Sequence, residues 1–255
     1  MPSVIVITNR KGGTGKTTTA INLAAALAAE GQRILLIDLD TQGHCALGLG
    51  QRPKPGQASV HRLLATPGAS LTEALVATAY AGLDLIPADS EFQHDLAPDD
   101  DQILVRALAE PAIRDRYDAI LIDSPPSLDR LLLNALSAAH WALIPFVPHP
   151  LAEEGVRQLA KVFFRVAMTS NPNLRLLGLL PVMYDHRIGQ HRRVQDLVAS
   201  QFGQERLLQG IRSDIKLAEA FAAGQPIRHY APRCRGSLDY QAAVAEIIKR
   251  LNSRG

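Results

Sequence analysis

Near the N-terminus, the stretch Lys11-Gly12-Gly13-Thr14-Gly15-Lys16-Thr17-Thr18 has the composition to bind phosphate. Gly12, Gly13 and Gly15 allow backbone N–H groups to turn inward and approach phosphate oxygens without a Cβ clash. The apolar run Val4-Ile5-Val6-Ile7 precedes the loop, and a helical pattern follows from Lys16. Such a helix aims its positive end at the bound anion. Lys16 reaches the β- and γ-phosphates of a nucleotide in such a loop, and the Thr17 hydroxyl ligates Mg²⁺. Strand, loop, Lys-Thr and helix in this order separate a phosphate site from a glycine-rich turn with a surface lysine.

Two further segments supply carboxylates. In Ile37-Asp38-Leu39-Asp40 two acids stand one residue apart after an apolar run. In extended backbone that spacing puts both on one side. In Ala119-Ile120-Leu121-Ile122-Asp123 an apolar run ends in an acid. This is the Walker-B arrangement, with Asp123 bonding to a water of the magnesium ion or to Thr17.

The elements that hold these residues are read from hydrophobic spacing. Residues 4–7, 34–37, 83–86, 119–122, 142–144 and 176–180 are short apolar runs without polar alternation. They read as parallel strands covered on both faces. Residues 16–30, 100–114, 127–139, 152–169 and 190–202 read as helices between them. The alternation predicts a doubly wound α/β domain with a mostly parallel sheet, helices on both faces, and all of 1–255 in one domain. Residues 51–58, rich in Gly, Pro and Gln, read as a loop inside it. A last helix is expected over 237–251, with Leu238, Ala242, Ile247 and Leu251 as its apolar stripe. Packing on the domain is the expected use of that stripe, in preference to a membrane surface.

Composition narrows the class. The chain has 255 residues, 47% hydrophobic and 20% charged, which suits a globular protein. Two cysteines, Cys45 and Cys234, supply neither a disulfide framework nor a four-ligand zinc site. Cys45 reads as a small buried hydrophobe, and His44, His149 and His191 lack metal-ligand spacing. The first apolar stretch is four residues long and runs into the glycine loop, unlike a signal peptide. A reducing cytoplasm is the expected compartment. The net charge of +2 conceals an asymmetry, because residues 186–255 carry twelve Lys/Arg against six Asp/Glu. Such a segment can present a positive face.

Arg10 stands where the ordinary phosphate loop has glycine, five residues before Gly15, and Lys11 follows it. This Lys11-Gly-Gly pattern resembles the deviant phosphate loop of the ParA/MinD ATPases. The resemblance continues through Asp38-Leu-Asp40-Thr41-Gln-Gly43 and Asp123-Ser-Pro-Pro126. It extends to Ser127-Leu128, Asn134-Ala-Leu136, Met183-Tyr184-Asp185-His186-Arg187, Ile211-Arg212-Ser-Asp-Ile-Lys216-Leu217 and Gly224-Gln-Pro-Ile227. These landmarks are similar to the chromosomal (Soj-like) branch and run through essentially the whole chain, more loosely over 51–115. The family usually has Pro at the place of Thr41 and often Asn at that of His44.

The resemblance implies a slow ATPase with ATP and Mg²⁺ as its cofactors. Residues 11–18 would cradle the nucleotide, with Met183 and Tyr184 beside the base. Thr17, Asp38 and Asp123 would serve the metal, and Asp40 would position the attacking water. Lys11 would reach across an ATP-dependent homodimer to the other subunit's phosphates, with Lys16 acting in its own site. The dimer would bind nucleoid DNA without sequence preference through Arg187, Arg212 and Lys216, although Arg212 also lies near the family's adenine site. Arg192, Arg193, Arg228, Arg233 and Arg235 are further candidates on charge alone. A cargo-linked ParB-like or adaptor partner would stimulate hydrolysis and release the dimer. A plasmid, a chromosome origin, a carboxysome or a chemoreceptor cluster fits as cargo. The implied location is cytoplasmic and nucleoid-associated, without stable membrane association.

Three other classes share the loop. A MinD-like membrane-cycling ATPase needs a stronger amphipathic anchor than 237–251 offers. A nitrogenase iron-protein type needs two cluster cysteines per subunit, and Cys45 and Cys234 do not match its loops. A tyrosine kinase of this kind carries a tyrosine-rich tail, against only Tyr230 and Tyr240 here.

Overall fold

The computed structural model describes residues 1–53, 56–66, 68–93, 98–149 and 152–253. Seven strands form one sheet: β1 (Ser3–Ile7), β2 (Ile34–Asp38), β3 (Val76–Ala77), β4 (Leu83–Ile86), β5 (Ala119–Asp123), β6 (Trp141–Phe146) and β7 (Arg175–Pro181). Their order is β3-β4-β2-β5-β1-β6-β7, parallel throughout except where β3 meets β4. The sequence patterns found six of these strands. The two-residue edge strand β3 is too short to carry a pattern.

Strand pleating divides the core between the faces of the sheet. Ile5, Ile7, Leu36 and Leu121 pack with the helices α1 (Lys16–Ala29) and α11 (Arg235–Asn252). Val4, Val6, Leu35, Ile37, Ile120 and Ile122 pack with α4 (Ile103–Ala109) and α6 (Arg130–Ala138). Each such Val, Leu or Ile contributes about 1.5–3 kcal/mol by leaving water. α1 is alanine-rich and buries eleven residues, so its backbone lies close against the strands.

Three expected helices differ from the reading of the sequence in how they divide, where they start or which face they bury. The span 100–114 divides into α4 and α5 (Pro111–Arg114). Pro111 has no N–H to continue the ladder, and it forces Glu110 to ψ 132. α6 begins at Arg130 instead of residue 127, because the Asp129 carboxylate caps the helix by accepting from Leu132 N at 3.1 Å. The buried stripe of α11 is Tyr240, Ala243, Val244 and Ile247, rotated from the expected one, with Leu238 exposed. That stripe faces α1, where the hydroxyls of Tyr240 and Thr19 are 3.2 Å apart.

The short helices α2 (His44–Gly48), α3 (Val60–Ala65), α9 (Ile215–Ala222) and α10 (Ile227–Tyr230) complete the chain with α7 (Ala152–Thr169) and α8 (Gly189–Phe202). Residues 54 and 55 of the loop-like stretch 51–58 lie outside the described residues, as do the last two of the chain. No described helix is long and apolar enough to cross a membrane.

Candidate functional site

The site forms at the carboxyl ends of the parallel strands, where this architecture places ligands. β1 delivers the loop of residues 8–15 to the start of α1. Gly13 and Gly15 adopt φ values of 71° and 72°, which a side chain would resist. A Cβ on Gly12 or Gly13 would meet no atom within 4 Å, so the loop opens onto free space. Asn9 holds the loop from below: its amide donates to Pro145 O at 2.8 Å, and its Oδ1 accepts from Lys11 N at 3.0 Å. Lys16 is buried, with Nζ 3.5 Å from the Lys11 carbonyl, whereas Lys11 is exposed. Burial lowers the Lys16 pKa, and the charges of Asp123 and Asp40 oppose that shift.

Register aligns the acids. Asp38 and Asp123 are partners across β2 and β5, and both are fully buried. The Thr17 hydroxyl donates to Asp123 Oδ2 at 2.7 Å. Asp38 accepts from Asp40 N at 3.1 Å and from Cys45 N at 2.9 Å. The Cys45 thiol donates to Asp123 Oδ2 at 3.4 Å. Burial raises Asp123 to about 6, while the Thr17 bond and the Lys16 charge pull it down. Burial, then the Asp123 charge, holds Asp38 well above the ordinary carboxylate value. Asp123 Oδ1 is buried without a hydrogen-bond partner. An orphaned buried acceptor among oxygen donors from Thr17, Asp38 and Asp123 fits a hard cation such as Mg²⁺ with its water shell.

A cleft of about 780 Å³ runs from this cluster along the loop. Residues 12–18, Asp40, Met183 and Arg212 line it, opposite Ile211, Asp214, Ile215 and Leu217. Met183 is half-exposed and holds φ 52°, unusual for a residue with a side chain. Tyr184 anchors the wall through its backbone, N to Ile211 O at 3.0 Å, and turns its ring toward His191 at 6.2 Å. The structure thus brings Met183 to the cleft and leaves the Tyr184 ring outside its lining. Thr41 and His44 leave the acids in place: Gly43 turns at φ 66°, α2 follows, and His44 meets Phe221 edge-on at 6.1 Å.

All three cations expected at DNA have acidic neighbours. Arg187 pairs with Asp185 at 2.7 Å and Lys216 with Glu219 at 2.7 Å, both on the surface. Arg212 differs, because Nε and Nη2 grip the buried Asp239 at 3.0 and 2.8 Å and its backbone N donates there too. Arg250 belongs to the scaffold, donating to the Leu177 and Leu207 carbonyls. Cys45 is buried as expected, but sequence reasoning missed its thiol contact with Asp123, Asp239 as the anchor of Arg212, and α9 with its cleft residues. The signal for α9 was Asp214 ahead of an apolar pattern, an N-cap that accepts from Lys216 N at 3.0 Å.

This sheet, loop and carboxylate cluster together define a P-loop nucleotide-binding protein. Residues 2–176 match a protein family described as an AAA domain. The chromosome-partitioning ATPase Soj of Thermus thermophilus is 38% identical, over 97% of this chain and 96% of its own length. The chromosome partitioning protein ParA of Caulobacter vibrioides is 37% identical, over 98% and 96%. A crystal structure of cobyrinic acid a,c-diamide synthase from Mycobacterium smegmatis, with ADP and magnesium bound, shares the fold with a TM-score of 0.83 at 32% identity, covering 99% of this chain and 96% of that one. The chain belongs to the ParA/MinD family of P-loop ATPases, with its sequence relatives in the chromosomal ParA and Soj branch.

Proposed function

We propose that this chain, working as one nucleotide-binding unit over residues 1–255, hydrolyses ATP as a switch for positioning a cargo on DNA. The observation that carries the reading is the division of labour between two lysines on one loop. Lys16 is buried beside the carboxylates, and Lys11 is exposed at the mouth. Lys16, the glycine N–H groups and Thr18 hold the phosphates of the chain's own ATP. Lys11 is free to reach phosphates on a second copy, supplying charge where it develops during transfer. The nucleotide then links two protomers, and its hydrolysis loosens them.

Thr17, Asp38 and Asp123 would hold Mg²⁺ with its waters, and the ion would supply positive charge against the phosphates. Asp40 lines the cleft and accepts a proton from, or orients, the attacking water. Arg187 and Lys216 lie outside the cleft lining and Arg212 lies on it, all three in the basic C-terminal segment, and in this reading they meet DNA phosphates. The surface pairs of Arg187 and Lys216 are weak in water and exchange readily for a phosphate. A cargo-linked partner accelerates hydrolysis and so releases the dimer. α11 spends its apolar face on α1, which leaves the DNA reading ahead of a membrane one.

Binding of non-specific duplex to the full chain, with ATP, with ADP and without nucleotide across a salt series, tests this. Binding should require ATP and weaken steeply with salt. Dimerisation by ATP without DNA binding in any state would remove the DNA half of the proposal.

A further inference from the structure

Cys45 has no part in the chemistry above, yet it sits among the metal carboxylates. The turn at Gly43 starts α2 so that the backbone N–H of Cys45 meets Asp38 and its thiol meets Asp123. One donor atom from each of Asp38, Cys45 and Asp123 lies within 4.8 Å of the other two, and all three residues are fully buried. Asp123 Oδ1 is buried there without a partner, and the Thr17 hydroxyl is 2.7 Å from Oδ2.

We propose that Asp38, Cys45 and Asp123 form a site for a thiophilic divalent cation of the Zn²⁺ class. Two carboxylates and a hydroxyl select a hard ion, and the added sulfur turns the preference toward Zn²⁺ and Co²⁺. Metal–donor bonds of about 2.0–2.3 Å put tetrahedral donors ~3.5 Å apart, so the triad needs only modest side-chain rotation to close on an ion. Thr17 or a water supplies the fourth position. On binding, the S–H bond of Cys45 breaks, its proton leaves to solvent, and the sulfur electron pair forms the bond to the metal. The ion then occupies carboxylates that Mg²⁺ shares, so this class of metal holds the chain in a state unable to load Mg-ATP normally. The inference rests on the Mg²⁺ reading only through those shared carboxylates.

The test uses the full chain without nucleotide, as wild type, Cys45→Ala and Cys234→Ala, titrated with Co²⁺ and then with Zn²⁺. A thiolate-to-cobalt charge-transfer band is expected in wild type and Cys234→Ala and is lost in Cys45→Ala. Zn²⁺ affinity should fall more than about tenfold in Cys45→Ala, at least what loss of an outer-shell partner costs. X-ray absorption of the zinc-loaded wild type needs no variant and should show one sulfur at about 2.3 Å. A shell of nitrogen and oxygen alone, no band in wild type, or a band that survives Cys45→Ala overturns the proposal. Mg-ATP binding on the same preparations reports on the nucleotide reading separately.

Discussion

The Thr17 hydroxyl donates to Asp123 Oδ2 at 2.7 Å, across 106 residues of sequence. The bond ties the first turn of α1 to the end of β5. It joins the phosphate loop to the buried acid pair. Because Asp123 is also the register partner of both Ile7 and Asp38, a shift of one strand would move the loop, Asp123 and the Asp38–Asp40 segment together. Substitutions in this cluster should therefore be read for stability as well as for activity.

The two loop lysines should separate in function. Lys16→Ala should abolish nucleotide binding, and with it ATP-driven dimerisation, by calorimetry and light scattering. Lys11→Ala should keep ATP bound while turnover falls about 10²–10³-fold, the effect of removing one charge-stabilising donor. Equal loss of ATP binding in both variants would contradict the division of labour.

Asp40→Ala should leave ATP bound and hydrolysis reduced about 10²–10⁴-fold, the range for a lost general base. Single-turnover rates measure it directly. Wild-type turnover in this variant would remove the role given to that carboxylate.

The raised pKa of Asp123 has a definite sign. The folded chain holds this proton up to about pH 6, above the ordinary carboxylate value. Its contribution therefore favours the fold at low pH and is lost as pH rises through about 6. Asp123→Asn removes one ionisation of the buried Asp38–Asp123 pair, so denaturant unfolding should show the variant gaining on wild type as pH rises from about 4 to about 7. An equal difference at both ends of the range would refute the assignment.

Arg212 should behave unlike Arg187 and Lys216. Arg212→Ala leaves the buried Asp239 with only the backbone donor of residue 212 and should cost about 1.5–3 kcal/mol of stability. Arg187→Ala and Lys216→Ala should leave the unfolding midpoint nearly unchanged, since exposed pairs contribute little. Each should lower the salt slope of DNA binding by about one unit, for the single phosphate it no longer neutralises. Intact DNA binding in the double variant Arg187→Ala with Lys216→Ala would assign these residues to an ordinary solvated face.

Much of the site was legible because its chemistry is local in sequence. Residues 11–18 carry their own glycines, lysines and helix start, and Asp38 and Asp123 each end an apolar run. What the sequence hid was tertiary. Nothing in Cys45 announces that α2 will turn its thiol onto Asp123, 78 positions away. Arg212 read as a DNA contact near the adenine site because Asp239, 27 positions on, shows its role only once α11 packs. The helix over 100–114 failed for a local reason, since Pro111 ends the ladder despite continuous apolar spacing. The stripe of α11 was misplaced because Leu238 matched the period while packing against α1 selected Tyr240, Ala243, Val244 and Ile247.

α1 carries a consequence beyond the site. It buries eleven residues and is fastened to α11 through Thr19 and Tyr240. Helices so enclosed surrender their amide protons only when the whole molecule opens. Deuterium should therefore enter α1 on the timescale of global unfolding, and the phosphate loop hangs from that enclosed element. On the proposed ATPase reading, nucleotide release should then proceed by motion of the loop while that anchor stays closed.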